Sequence, residues 1–231
     1  MKYEAVIFDL FGTLIDKFSL REGTSMLRQM ASTLAIPSDG FLRLWFETFN
    51  ERATGVLPSP EANIAHICNK LAVHAEDARI RQAGQIERDY TARSMTPRPN
   101  ALEVLSHLKS QGYKTGLISD CSPEIPGVFK SMPFAPFIDV AVFSCLLGIT
   151  KPDSRIYQLA AEQLAVQPEA CLYIGDGDSH ELTGAAQAGM HPVLIRDPYE
   201  DSTDVHRVNA EADEWDGPVI TSLKEVSTLV G

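Results

Sequence analysis

A doubly wound parallel α/β sheet, interrupted near its start by an all-helical insertion, is the fold this sequence predicts. Three observations predict it. Ala5-Val6-Ile7-Phe8 runs apolar into Asp9, and Gly12 and Thr13 follow, the pattern of a strand buried in a parallel sheet and ended by a sharp turn. From Asn100 onward helical and strand patterns alternate, which calls for crossover connections of one hand. Between these two regions the spacing is helical and no strand pattern occurs.

The elements follow in order. After the opening strand, Ser19–Leu34 places Leu20, Met26, Leu27, Met30 and Leu34 at helical spacing. Phe41–Phe49, Ala62–Leu71 and Ala78–Thr91 continue in that style, punctuated by Pro37, Gly55, Pro58 and Pro60. Trp45, Phe46 and Phe49 belong here, and helix packing explains them better than contact with a substrate. Met95-Thr96-Pro97-Arg98-Pro99 is the expected hinge, so the core takes residues 1–16 and 98–231 and the insertion residues 17–97. Ala101–Gln111 then reads as a helix, Lys114–Ser119 as a strand, Pro123–Lys130 as a helix or turn and Phe137–Ser144 as a strand. Asp153–Leu164 is a helix, Ala170–Gly175 a strand, Glu181–Ala188 a helix stopped by Gly189, and His191–Arg196 a strand. The acidic segment Pro198–Gly217 reads as an exposed loop, and Val219–Leu223 precedes a terminal helix.

Length and composition fit one ordinary core with a smaller module: 231 residues, 44% of them hydrophobic. A formal net charge of −11 disfavours nucleic acid or an anionic membrane as partner. It also obliges any anionic substrate to be held by local cations. The four cysteines, Cys68, Cys121, Cys145 and Cys171, show no metal-type pairing and suit unpaired thiols in a reducing compartment. No apolar run approaches the ~20 residues of a membrane span and no signal peptide is visible. A cytoplasmic protein, monomeric or homodimeric, is the expectation.

In sheets of this kind functional groups collect at the carboxyl ends of strands. Asp9 and Thr13 follow the first strand, Ser119 closes a second, Lys151 opens Lys151-Pro152-Asp153 before a helix, and Asp176, Asp178 and Glu181 follow another strand. Asp9 there is a nucleophile, a metal ligand or simply a turn cap. Ser119 has the same bland alternative, and Lys151 could be a solvated lysine. Asp178 is best read as the cap of the helix it introduces, His180 as a surface residue, and Gly184 and Gly189 as close packing and a helix stop.

These four motifs, in this order and with a helical insertion after the first, make the sequence resemble the haloacid dehalogenase-like hydrolases with a C1-type helical cap. The resemblance covers essentially the whole chain and implies a Rossmann-like core. It implies that Asp9 is the nucleophile, forming an aspartyl ester that water cleaves. Thr13 and Ser119 would supply hydroxyl donors, with Gly12, Ser119 and Lys151 contacting substrate, and Lys151 would keep Asp9 ionised. The implied metal set is Asp9, Phe11, Asp176 and Glu181, and Mg²⁺ suits such hard oxygen donors.

Phe11 stands where phosphatases of this family carry a second aspartate, the general acid for the leaving alcohol. A phenyl ring cannot transfer a proton, a function ordinarily worth ~10²–10⁴-fold. Halide needs no proton on leaving, so Phe11 points toward a 2-haloacid dehalogenase, and Tyr157 fits that pattern too. Yet dehalogenases have Ser and Asn where Asp176 and Asp178 stand, and a cap arginine near Phe46 that is missing here. Asp9, Asp176 and Glu181 would converge with only Lys151 opposing them, and a divalent cation would relieve their repulsion. The expectation is therefore a Mg²⁺-dependent hydrolase of a small phosphorylated metabolite, with Asp16, Asp120 or a cap residue as substitute acid. The alternatives are a metal-independent dehalogenase, or a catalytically weak member that binds a ligand or partner.

Overall fold

The computed structural model describes residues 2–198, 201, 203–205 and 214–230. Chain order is β1 (Ala5–Phe8), α1 (Leu20–Leu34), α2 (Ser38–Glu47), α3 (Phe49–Ala53), α4 (Pro60–Lys70), α5 (Asp77–Ser94) and α6 (Ala101–Ser110). There follow β2 (Lys114–Ser119), α7 (Ile125–Phe129), β3 (Val140–Phe143), α8 (Ser144–Leu147) and α9 (Ser154–Gln163). The chain closes with β4 (Cys171–Gly175), α10 (Glu181–Gln187), β5 (His191–Ile195), β6 (Val219–Ile220) and α11 (Val226–Val230).

The strands form one parallel sheet in the order β3-β2-β1-β4-β5-β6. β1 is central, with Ala5 beside Lys114 on one side and Cys171 on the other. Alternate residues feed opposite faces. Val6 and Phe8 join Leu105, Leu117 and Val226 in one cluster, while Ala5 and Ile7 join Ile118, Tyr157 and Leu182 in the other. Both faces being covered, every residue of β1 is buried, which is why it reads as a continuous apolar run. The strand order reverses direction at β1–β4, so a crevice opens at the carboxyl ends there. Gly184 lets α10 approach α9, since a Cβ on it would collide with Pro152 and the Tyr157 hydroxyl.

Helices α1, α2, α4 and α5 enclose a separate core of Met26, Leu27, Met30, Phe41, Trp45 and Ile64 among others. The Ser19 hydroxyl caps α1 by accepting from Glu22 N–H. The segments entering and leaving these helices lie side by side: Asp16 N–H donates to Thr96 C=O at 3.0 Å and Arg98 N–H to Leu14 C=O at 2.9 Å. We propose residues 17–97 as the cap on this basis.

One strand is shorter than its pattern. Of Phe137–Ser144 only Val140–Phe143 is extended, because Pro136 lies in a tight turn at Ala135–Phe137 and Ser144 begins α8. Within Pro198–Gly217, residues 199, 200, 202 and 206–213 lie outside the described residues. Asp204 accepts from the Ser19 hydroxyl at 2.6 Å and from Arg21 N–H at 2.8 Å, so this loop touches the start of α1. All four cysteines are free and buried. Among the described residues no helix is long and apolar enough to cross a membrane.

Candidate active site

Asp9 leaves the end of β1, its N–H donating to Ile174 C=O of β4 at 2.8 Å. Lys151, from the loop between α8 and α9, places its ammonium 2.6 Å from Asp9 Oδ1 and 2.6 Å from Glu181 Oε2. All three side chains are buried. The Tyr173 hydroxyl also donates to Glu181 Oε2, and Gly177 N–H donates to Oε1. Burial pushes the Asp9 and Glu181 carboxyls above their ordinary range; Lys151 opposes that rise, and Asp176 adds to it. Burial alone would depress the Lys151 ammonium, but Asp9 and Glu181, with smaller help from Tyr173 and Asp120, hold it well above its usual value. Lys151 thus stays charged and serves both acids.

The second oxygen of Asp9, Oδ2, is buried with no hydrogen-bond partner, as are the hydroxyls of Thr13 and Ser119. Asp9, Lys151, Asp120 and Asp176 line a cavity of about 270 Å³ that extends into the cap, whereas Thr13, Ser119, Gly12 and Glu181 lie behind its wall. Gly12 is required as glycine: its φ is +79°, and a Cβ there would strike the Asp176 carboxylate and Lys17. Arg98 fixes this turn by donating to Gly12 C=O at 2.5 Å.

Asp9, Asp176 and Glu181 each offer a carboxylate oxygen, and these lie within 4.8 Å of one another. Such a donor set fits Mg²⁺. Within it, Glu181 has both oxygens committed to protein partners, so it braces Lys151 and the Gly177 turn. Phe11 gives the set no side-chain oxygen. Its ring packs edge-on against Phe18, centroids 5.1 Å apart, leaving only its backbone carbonyl as a donor.

The expectation that Lys151 alone opposes the acids needs correcting. Lys17 forms an ion pair with Asp176 and lies 3.0 Å from Asp178 Oδ2. Asp178 stands three residues before α10, whose N-cap position is His180, and its carboxylate also pairs with Lys17. No local signal reveals this, because the partners are 161 positions apart. His180 is exposed as expected, and Tyr157 is a packing residue whose hydroxyl donates to Glu181 C=O at 2.9 Å.

Of the substitute acids, Asp16 pairs with Arg98 at 3.4 Å and does not line the cavity. Asp120 does line it; both its oxygens accept from Lys151 N–H at 3.1 Å, and burial pushes it up to about 6. Three further lining residues escaped the sequence: Arg52 of α3, Glu87 of α5 and Glu124 just before α7. Glu87 and Arg52 sit inside helical patterns, where charge normally marks the solvated face; here both are buried.

A parallel sheet with a helical insertion thus brings a buried lysine–carboxylate pair and an unpartnered carboxylate oxygen to one cavity. The haloacid dehalogenase-like hydrolase family matches residues 3–189, and the chain belongs to it. It is 28% identical to (S)-2-haloacid dehalogenase 4A of Burkholderia cepacia across 91% of this chain and 93% of that one. It is 27% identical to glyceraldehyde 3-phosphate phosphatase of Methanothermobacter thermautotrophicus across 59% of each chain. The structure of 2-haloacid dehalogenase from Pseudomonas syringae pv. Tomato DC3000 superposes with a TM-score of 0.73 at 19% identity, covering 99% of this chain and 98% of that one. Relatives of both chemistries flank the chain, so the family settles hydrolysis and leaves the bond open.

Proposed function

We propose that this enzyme hydrolyses a small phosphate ester through an aspartyl-phosphate on Asp9, assisted by Mg²⁺. The observation that carries the reading is Asp9 itself: one oxygen held by Lys151, the other unpartnered at the cavity floor. Charge supports the metal. Four acids, Asp9, Asp176, Asp178 and Glu181, face two lysines, Lys17 and Lys151, before a phosphate arrives. Asp9 and Asp176 would hold the ion, and when bound it supplies the charge neutralisation that lets a phosphate approach.

Asp9 Oδ2 attacks phosphorus, and the leaving oxygen takes the proton of Asp120, the acid that faces the cavity in place of the missing aspartate. Water then cleaves the aspartyl-phosphate, losing a proton to Asp120 and restoring Asp9. Thr13 and Ser119 hydroxyls, buried without partners, are available to Asp9 as it changes charge. Lys151, 2.6 Å from Asp9 Oδ1, favours the ionised form of Asp9 against the burial that raises it, and stays paired with Glu181 throughout. The test is phosphate release from p-nitrophenyl phosphate with and without Mg²⁺. Activity that survives EDTA sinks the metal-assisted reading.

Phe11 favours a second reading, removal of halide from a 2-haloacid. Its ring, with Phe18, Leu27 and Trp45, makes the cavity wall largely apolar, and Lys17 lessens the need for a metal. Halide release from 2-chloropropionate in EDTA, with no phosphatase activity, establishes this alternative.

A further inference from the structure

The geometry points to a second recognition subsite where cap meets core, built from Arg52, Glu87 and Glu124, that takes a hydrogen-bond-donating group of the substrate, hydroxyl or ammonium, away from the phosphate. The inference rests on the hydrolysis of a phosphate ester proposed above and names the other end of that molecule.

Arg52 is 5% exposed and held by the cap. Its Nη1 donates to Trp45 C=O at 2.7 Å and Thr48 Oγ1 at 3.0 Å, its Nε donates to Ser122 Oγ at 3.3 Å, and the guanidinium lies 4.6 Å from the Trp45 ring centroid. It forms no ion pair with either glutamate among the described residues. One oxygen of each acid is thus left without the hydrogen-bond partner that burial normally demands, although Arg52 and Arg88 act on both acids at longer range. Glu87 is 4% exposed, and both Glu87 Oε2 and Glu124 Oε2 are buried with no hydrogen-bond partner. All three residues line the cavity that reaches Asp9. The charges acting on Glu87 come from Glu124, Arg52, Arg88 and Glu61, and those acting on Glu124 from Arg52 and Arg88, not from Asp9 or Lys151, so this cluster is separate from the catalytic one. Burial pushes both glutamates above their ordinary range.

Three kinds of ligand end can be compared. A carboxylate or second phosphate would add negative charge beside two acids while gaining only the Nη2 group of Arg52, whose Nε and Nη1 are already used. A methyl group would leave both carboxyl oxygens as they are. A hydroxyl donates to one of them, and an ammonium donates to both and balances their charge. The carbon body between the ends would lie against Trp45, Phe46 and Phe49. The substrate class is therefore a phosphorylated amino alcohol or polyol.

The experiment compares ω-methyl, ω-hydroxyl, ω-amino and ω-carboxyl alkyl phosphates of increasing chain length on the full-length protein with Mg²⁺, alongside p-nitrophenyl phosphate. At the best length, kcat/KM for the hydroxyl or amino ester should exceed that of its methyl and carboxyl analogues by at least about tenfold. In Glu87→Gln and Glu124→Gln the amino-to-methyl ratio should collapse several-fold toward one, a within-variant ratio that a general loss of activity does not mimic. A methyl or carboxyl ester that equals or beats the donors in the unaltered protein overturns the subsite. If neither p-nitrophenyl phosphate nor any ester turns over, the hydrolysis reading fails. The subsite then stands only if the same compounds raise Tm in the order amino or hydroxyl above methyl and carboxyl, and falls if they do not.

Discussion

The floor of the cavity and the seam between cap and core both bury acids around a cation, and they are wired in opposite ways. On the floor, Lys151 touches Asp9 and Glu181 at 2.6 Å, Tyr173 donates to the same Glu181 oxygen, Gly177 N–H satisfies the other, and Lys17 pairs with Asp176 and Asp178. At the seam, Arg52 is satisfied by backbone and hydroxyl oxygens of the cap, while Glu87 and Glu124 keep buried oxygens without partners. On the floor the lysines bond directly to the acids and hold them in one geometry, which chemistry at a nucleophile requires, while Asp9 Oδ2 is left for the substrate. At the seam the cation bonds to neither acid, and both gain only when something arrives. The contrast teaches that buried charge alone does not identify a catalytic centre; the pattern of its partners does.

The largest effects should come from breaking the floor. Asp9→Asn leaves the fold and removes the attacking oxygen, so phosphate release should fall by at least about 10³-fold; a smaller drop in a phosphate-release assay would mean another nucleophile. Lys151→Met removes the ammonium that serves two buried carboxylates. Breaking such a pair costs about 3–5 kcal/mol, so the urea midpoint should drop sharply as well as activity. Stability unchanged from wild type would show that Glu181 is neutral and needs no partner.

Asp120 comes next. Asp120→Asn should slow an alkyl phosphate by ~10²-fold, in line with the loss of a general acid. It should scarcely affect p-nitrophenyl phosphate, whose leaving group needs no proton. Equal losses on both esters would remove Asp120 as the acid. Lys17 sharpens the comparison from the other side, because it satisfies Asp176 in the metal-free protein. Lys17→Met should lower Tm without metal and tighten Mg²⁺ binding by about tenfold in a calorimetric titration. Unchanged Mg²⁺ affinity would mean the ion and Lys17 do not compete.

How much of this was legible in the sequence differs between the two regions for the same reason. The floor is built at strand ends, where a buried apolar run stops at a polar residue; Asp9, Ser119 and Asp176 announce themselves that way, and Lys151 and Glu181 by their place before and at the start of helices. The doubly wound class also follows from the alternation of patterns after Asn100, although the strand order does not. The seam lies on helices, where Arg52 and Glu87 fall into ordinary amphipathic spacing and only the packing of α3 against Ser122 and α8, and of α5 against α7, reveals their burial. Lys17 was hidden for a third reason: its partners come from the far end of the chain.

The smallest predicted effect separates the two regions by pH. Burial raises Asp120 to about 6 from an unfolded value of 3.8, and raises Glu87 and Glu124 in the same direction. A carboxyl whose folded pKa lies above its unfolded one binds protons more tightly when folded, so its contribution to stability is complete below about 4 and is lost as pH rises through the folded value. Metal-free protein should therefore melt several degrees higher at about pH 5 than at about pH 7.5. The shifts that act the other way, such as that of Asp153 to about 2, matter only in stronger acid. Because the seam acids lack partners and Asp120 has Lys151 N–H, Glu87→Gln should flatten this slope more than Asp120→Asn does. A steeper loss from Asp120→Asn would make Asp120, not the seam, the main source of the slope, and would reverse the contrast between the two clusters.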